Sequence, residues 1–240
     1  MQRKDHHDWA SDTYVDEWAT RQQSEDPARA ERFQLMCDLF PFPHDASVTI
    51  LDLGAGYGPV SAFILDRYPN ATCIGQDGSA PMLDRARKLM ARYGERFKPH
   101  HSDLFEADWL PIRFGSLDAA VSSICLHNLR DFTRIGEIYG EVHRRLKPGG
   151  VFLNLDLVNA PTPGLRQRYV TATTARRERA GASRPDVTAM VRSGEHPHAG
   201  GAGPFQAGLD EHLTALKAAG YRDVDCFWKE LRLALFGGYA

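Results

Sequence analysis

The 240-residue sequence predicts an α/β domain built on a mostly parallel sheet. Three observations carry that expectation. Val48 to Leu53 is a largely apolar run of strand length that enters the turn Gly54-Ala55-Gly56-Tyr57-Gly58, with Pro59 suited to the first turn of a following helix. Strand-like runs then alternate with segments of 3.6-residue apolar spacing as far as residue 157. Asp77 closes the second strand-like run, 19 residues after Gly58. Such alternation implies right-handed crossovers, with ligands bound at the carboxyl ends of the strands.

Residues 1–44 read as a helical cap. Thr13 with Asp16 forms a capping-box-like start, and Tyr14, Val15, Trp18 and Ala19 share one face. Pro27 opens a second helix, whose stripe is Phe33, Met36, Cys37 and Phe40 and whose stop is Pro41 and Pro43. The core spans residues 45–157. Its second strand is Ala71 to Asp77, followed by a helix with Met82, Leu83, Ala86, Leu89 and Met90 inward. Leu117 to Ile124 is the fourth strand. Ile135, Ile138, Tyr139, Val142 and Leu146 mark the next helix, before the turn Lys147-Pro148-Gly149-Gly150 and a fifth strand from Val151. Residues 158–208 break the rhythm, with seven arginines against three acids. One or two helices and then a loop over His196 to Pro204 are expected there. Residues 209–240 close the domain with a helix stopped by Gly220 and strands at Val224–Phe227 and Leu231–Phe236.

Composition narrows the function classes. Hydrophobic residues at 42% and charged residues at 25% are ordinary for a soluble globular chain. A formal net charge of −2 does not favour a general nucleic-acid partner. Cys37, Cys73, Cys125 and Cys226 have no paired spacing, which points to reduced thiols and a cytoplasmic location. The N-terminus lacks an apolar signal core, and no apolar run reaches the ~20 residues of a membrane span. The histidine clusters at His6-His7, His100-His101 and His196-x-His198 match no chelate spacing, so no metal is expected.

The glycine turn departs from the dinucleotide fingerprint G-x-G-x-x-G, because Pro59 stands where its third glycine would be and Gly58 comes one residue early. The pattern Asp52-x-Gly54-x-Gly56-x-Gly58 resembles the first motif of the class I S-adenosylmethionine-dependent methyltransferases. Asp77 at the end of strand two, the turn Gly78 to Leu83, the corner His101-Ser102-Asp103-Leu104 and the Lys147 to Leu153 stretch follow in that family's order. The resemblance implies a Rossmann-like, seven-stranded, mostly parallel sheet with an antiparallel last strand, N-terminal helices and a helical insert after strand five. It implies S-adenosylmethionine as cofactor and S-adenosylhomocysteine as product. Asp52, Gly54, Gly56 and Gly58 would surround the methionine moiety. Asp77 with Gly78 would take the ribose, Met82 would pack near the adenine, Asp103 and Leu104 would read the adenine edge, and Ser122 would close the cofactor site at the end of strand four. On the acceptor side it implies His127 as general base, with Trp18 and Asn128 around the substrate; Asn154 and Asp156, polar positions alternating with Leu153, Leu155 and Leu157 at the end of the fifth strand, are expected to orient the substrate too. The acceptor is then a small molecule, with an anionic one favoured by the arginine-rich insert, and the protein a monomer or homodimer. Two other readings stay open: tRNA modification or other S-adenosylmethionine chemistry on the same fold, and a cofactor-binding subunit without chemistry.

Overall fold

The structure, a computed structural model, describes residues 8–17, 28–110, 114–179 and 207–240. The readings made for His6-His7, Trp18, Pro27 and the stretch His196 to Pro204 fall outside those residues.

Seven strands form one sheet: β1 Thr49–Leu53, β2 Thr72–Asp77, β3 Phe97–His101, β4 Leu117–Ser123, β5 Leu146–Leu157, β6 Arg222–Glu230 and β7 Leu233–Tyr239. Their order is β3-β2-β1-β4-β5-β7-β6. The β1 to β5 pairings are parallel, and β7 runs antiparallel to both β5 and β6. This is the expected sheet, with its reversed strand inserted beside β5 rather than at the edge.

Helices cover both faces. On one face lie α1 (Arg29–Asp38), α2 (Pro59–Arg67) and α3 (Ala80–Leu89). On the other lie α4 (Phe132–His143) and α6 (Leu209–Ala218), while α5 (Pro163–Arg179) follows β5. The two-residue period of a strand sorts the core accordingly. Ile50, Cys73, Val121 and Leu153 join one apolar cluster with Phe33, Met36 and Ile64. Leu51, Leu53, Ile74 and Phe152 join the other with Ile138, Tyr139 and Leu216.

Several boundaries differ from the sequence reading. The first described helix covers residues 12–17, and its cap is Ser11, whose Oγ accepts from the Tyr14 N–H at 3.3 Å. Thr13 is already inside the helix. Leu146 begins β5 instead of ending α4, because the chain must extend there for Leu146 to pair with Leu117. Leu89 is 47% exposed, so the inward stripe of α3 is Met82, Leu83 and Ala86, with Met90 buried just beyond its end. The last two strands are longer than expected, and Leu231 sits in their connecting turn with φ +54°.

Candidate active site

A cavity of about 690 Å³ opens at the carboxyl ends of β1, β2 and β4. That volume lies in the range of small-molecule sites, and the position is where parallel α/β sheets bind ligands. One wall is the glycine turn. Gly54, Gly56 and Gly58 have φ of +62°, +57° and +89°, a left-handed region that favours glycine. The turn is tied down from below: the Ala55 N–H donates to the Gln76 carbonyl at 2.9 Å, and the Gly54 N–H to Gln76 Oε1 at 3.2 Å. Gln76 also donates through Nε2 to the Ser102 carbonyl at 2.7 Å, so one side chain links the ends of β1, β2 and β3.

Asp77 sits at the centre of this arrangement. Its Oδ2 accepts from the Gly56 N–H and its Oδ1 from the Ser79 N–H, both at 2.8 Å. Burial pushes its carboxyl group above the usual range, and the two N–H donors act against that shift. Ser79 caps α3 by accepting from the Met82 N–H at 3.2 Å. The same hydroxyl donates to the Trp9 carbonyl at 2.5 Å. That bond fixes the N-terminal segment across the cavity mouth, and an ion pair between Arg85 and Asp16 holds it further along. Val15, Tyr57 and Met82 bury one another beneath Trp9.

At the far end lie His101, Asp103 and Leu104. Asp103 Oδ1 accepts from the Phe105 N–H at 3.0 Å and stays exposed, whereas Leu104 is buried. The buried Arg134 on α4 donates through Nε to the Leu104 carbonyl at 2.7 Å and pairs with Glu141 at 2.8 Å. Glu141 in turn accepts from Trp109 Nε1 at 2.5 Å. A charged network on the opposite helix thus sets where this corner stands.

Residues 50–150 match a family described as a methyltransferase domain. Over 104 residues the chain is 33% identical to malonyl-[acyl-carrier protein] O-methyltransferase of Xylella fastidiosa, a match covering 43% of this chain and 33% of that protein. Over 107 residues it is 33% identical to a ubiquinone/menaquinone biosynthesis C-methyltransferase of Desulfotalea psychrophila, covering 45% and 40%. The chain therefore spans well under half the length of these curated relatives. Among solved structures, an O-methyltransferase family protein from Burkholderia thailandensis superposes with a TM-score of 0.63 at 22% identity, over 96% of this chain and 61% of that one. Human N-acetylserotonin methyltransferase, solved in complex with SAM, superposes with a TM-score of 0.61 at 17% identity, over 96% and 57%. The matched segment, residues 50–150, is similar to a methyltransferase domain, and the whole chain shares the fold of the solved methyltransferases.

The residues present fit S-adenosylmethionine, the molecule held by the last of these structures. A Cβ added at Gly56 would stand 3.8 Å from Met82 Sδ, inside the cradle formed by the glycine turn and the start of α3. A carboxylate at the end of β2 supplies the acceptors that a vicinal diol needs.

Of the residues expected around cofactor, Gly54, Gly56, Asp77, Gly78, Met82, Asp103 and Leu104 line the cavity. Asp52, Gly58 and Ser122 lie outside its lining. Asp52 is buried beneath the turn, where Oδ2 accepts from the Ser61 N–H at 3.1 Å and from Ser61 Oγ at 2.7 Å. Its Oδ1 has no hydrogen-bond partner among the described residues, and burial pushes its pKa up to about 7. Gly58 caps α2, and Ser122 Oγ donates to the Leu53 carbonyl at 3.1 Å.

On the acceptor side, Asn128 lines the cavity with Ser123, Ile124, Cys125 and Leu129. Ile124 is a β-branched residue at φ +54°, a strained turn of the kind that clusters at functional sites. His127 is buried directly behind this wall. Asp156 Oδ1 lies 2.6 Å from its Nδ1, and Asp156 Oδ2 accepts from its backbone N–H at 3.0 Å. Asp156 is held below its ordinary pKa by His127 and by these N–H donors, despite the opposing effect of burial. Asn154 is fully buried two residues earlier on the same strand face. None of His127, Asn154 and Asp156 is part of the cavity lining.

Trp9 and Arg29, which the sequence reading did not single out, line the cavity, as do Tyr57, Gln76, Ser79 and His101, which it placed in motifs or strands without a role of their own. Ser79 had a usable signal, since a serine two residues before Pro81 reads as a helix cap. Arg29 and Trp9 carried none.

Proposed function

We propose that the protein transfers a methyl group from S-adenosylmethionine to an O, N or C nucleophile of a small-molecule acceptor. The observation that carries this reading is Asp77, a buried carboxylate braced by the Gly56 and Ser79 N–H groups at the edge of a 690 Å³ cavity. A carboxylate offers about four lone-pair sites. Two are used by backbone, so two remain for the ribose diol. Asp103 accepts from the adenine amine, and Leu104 and Met82 flank the ring. The cofactor supplies, when bound, an electrophilic methyl on a sulfonium.

The chain's own part is to hold the acceptor in line and to exclude water. Placement of that kind contributes up to about 7–11 kcal/mol in favourable cases. The wall Ser123–Cys125 with Asn128 and Leu129 faces the acceptor. Where the nucleophile must lose a proton, His127 takes it. An imidazole whose Nδ1 faces a carboxylate is held as the Nδ1–H tautomer, with its lone pair on Nε2. Asp156 is thus a positioning residue for His127. Relatives named for malonyl-[acyl-carrier protein] and trans-aconitate support a carboxylate-bearing acceptor.

The test is formation of S-adenosylhomocysteine across a panel of small organic acids, phenols and amines. Turnover with any of them supports the reading. Turnover that required bulk tRNA and fell steeply with salt would replace it with nucleic-acid modification.

A further inference from the structure

We propose that Asn154 holds an internal water, and that the hydrated polar row it belongs to positions the His127–Asp156 pair. The positioning role rests on the base reading above. Asn154 and Asp156 share the face of β5 that carries Phe152, which packs with Ile138, Tyr139 and Leu216 of α4 and α6. The register sets Ser122 of β4 beside Asn154 on one side and Phe236 of β7 on the other. A short polar row, Ser122, Asn154 and Asp156, therefore crosses the end of an otherwise apolar layer. Ser122 and Asn154 are fully buried.

The neighbours of Asn154 all have partners. Ser122 Oγ donates to the Leu53 carbonyl at 3.1 Å, and Tyr139 Oη shares a 2.8 Å hydrogen bond with His212 Nδ1. Asp156 is bonded on both oxygens, by His127 and by the Leu157 N–H at 2.8 Å. Asn154 differs: neither its Nδ2 nor its Oδ1 has a hydrogen-bond partner among the described residues. Burying an amide with nothing to bond is costly, and folded proteins meet that cost with an internal water that makes about three hydrogen bonds. The groups such a water needs converge here. Asn154 offers donors and an acceptor, and Ser122 Oγ keeps lone pairs beside it. Burial pushes the Tyr139 phenol well up, Asp156 adds to the rise and the Asn154 amide opposes it, so the hydroxyl lies within reach of the amide. Burial lowers His212 to about 4, so the Tyr139–His212 pair carries no charge near neutral pH. With Asp156 already bonded on both oxygens, the row suits a neutral occupant rather than an ion. A water bridging these groups locks β4, β5 and α4 together at the segment from which Asp156 holds His127.

The test separates polarity from volume. A high-resolution crystal structure of the wild type should show an ordered water within hydrogen-bond distance of the Asn154 amide. In solution, oxygen-17 relaxation dispersion should lose the signal of a long-lived water in Asn154→Leu. Absence of that density, or an unchanged dispersion signal in Asn154→Leu, would overturn the water site. For the positioning role, Asn154→Leu fills the space without polar atoms, whereas Asn154→Ser is smaller and keeps a hydroxyl. Melting temperatures confirm that both variants fold. With an acceptor that turns over, kcat should fall about tenfold in Asn154→Leu and stay near wild type in Asn154→Ser, with S-adenosylhomocysteine affinity within about twofold in both. The reverse order of kcat would overturn the positioning role and make Asn154 a packing residue. His127→Ala is run in the same assay. If it lowers turnover while Asn154→Leu does not, the positioning role falls; if His127→Ala itself has no effect, the base reading falls instead.

Discussion

Gly54→Ala should unfold the cofactor turn from within, and the structure sets the size of the effect. A Cβ at position 54 would lie 2.1 Å from Cys125 Sγ and 2.4 Å from Cys125 Cβ. Neither atom is the tip of a flexible chain. The φ of +62° adds its own penalty, about 1–2 kcal/mol for a residue with a Cβ. Forced overpacking costs about 1–3 kcal/mol, so the variant should lose roughly 2–5 kcal/mol in all. Relaxation is limited, since Leu53 and Ser122 are paired in the sheet immediately before the two clashing turns. The assay is urea unfolding of Gly54→Ala, Cys125→Gly and the double variant. Cys125→Gly alone will lose stability through lost packing, so the readout is the coupling energy. It should be about 1–3 kcal/mol in the rescuing direction, with the backbone part of the penalty left unrescued. Additive effects, or a stable Gly54→Ala protein, would refute the reasoning that a close approach to Cys125 keeps this position glycine.

His127→Ala should leave S-adenosylhomocysteine affinity within about twofold and cut turnover by about a hundredfold or more with acceptors that need deprotonation. Asp156→Asn should do the same more mildly and alter the pH profile of kcat, read from initial rates. Asp52 is raised from 3.8 to about 7, so the folded state binds the extra proton and the group's contribution to stability is lost as pH rises through about 7. Asp52→Asn should therefore gain on wild type between about pH 4 and 7, by on the order of a few kcal/mol in urea unfolding. His212 is lowered to about 4 by burial, and its contribution runs the other way, present above about 6.5 and lost as pH falls towards 4. The asparagine variant should expose that opposing slope. Arg134→Met should cost about 1.5–3 kcal/mol, because Glu141 is partly exposed and keeps its bond from Trp109, and should weaken adenosine binding through the loosened Leu104 corner, measured by calorimetry.

The strand, the glycine turn and Asp77 were legible because each is a local pattern whose physics is local. Three left-handed residues need glycine, and a carboxylate at the end of β2 faces that turn once β2 pairs with β1. The seven-stranded sheet with an antiparallel last strand was legible from resemblance alone, and its full strand order comes from the structure. What the pattern left dark was assembled over distance. His127 and Asp156 each stood out, but their pairing arises only because β5 lies beside β4, with Ser122 opposite Asn154. Asn154 and Asp156 were read as substrate contacts, and nothing in an alternating strand says which face is open. Arg29 and Trp9 reach the cavity from segments whose only sequence signal is helical spacing. Strand ends slipped for a related reason: Leu146 suits helix or strand, and pairing with Leu117 decides.

The most direct test is calorimetric titration of S-adenosylhomocysteine into wild type and Asp77→Ala. Wild type should bind with micromolar affinity at one site per chain, and the variant should bind about tenfold or more weakly, since it loses the diol acceptors and the brace on Gly56 and Ser79. No binding to the wild type, or equal binding to both proteins, would contradict it.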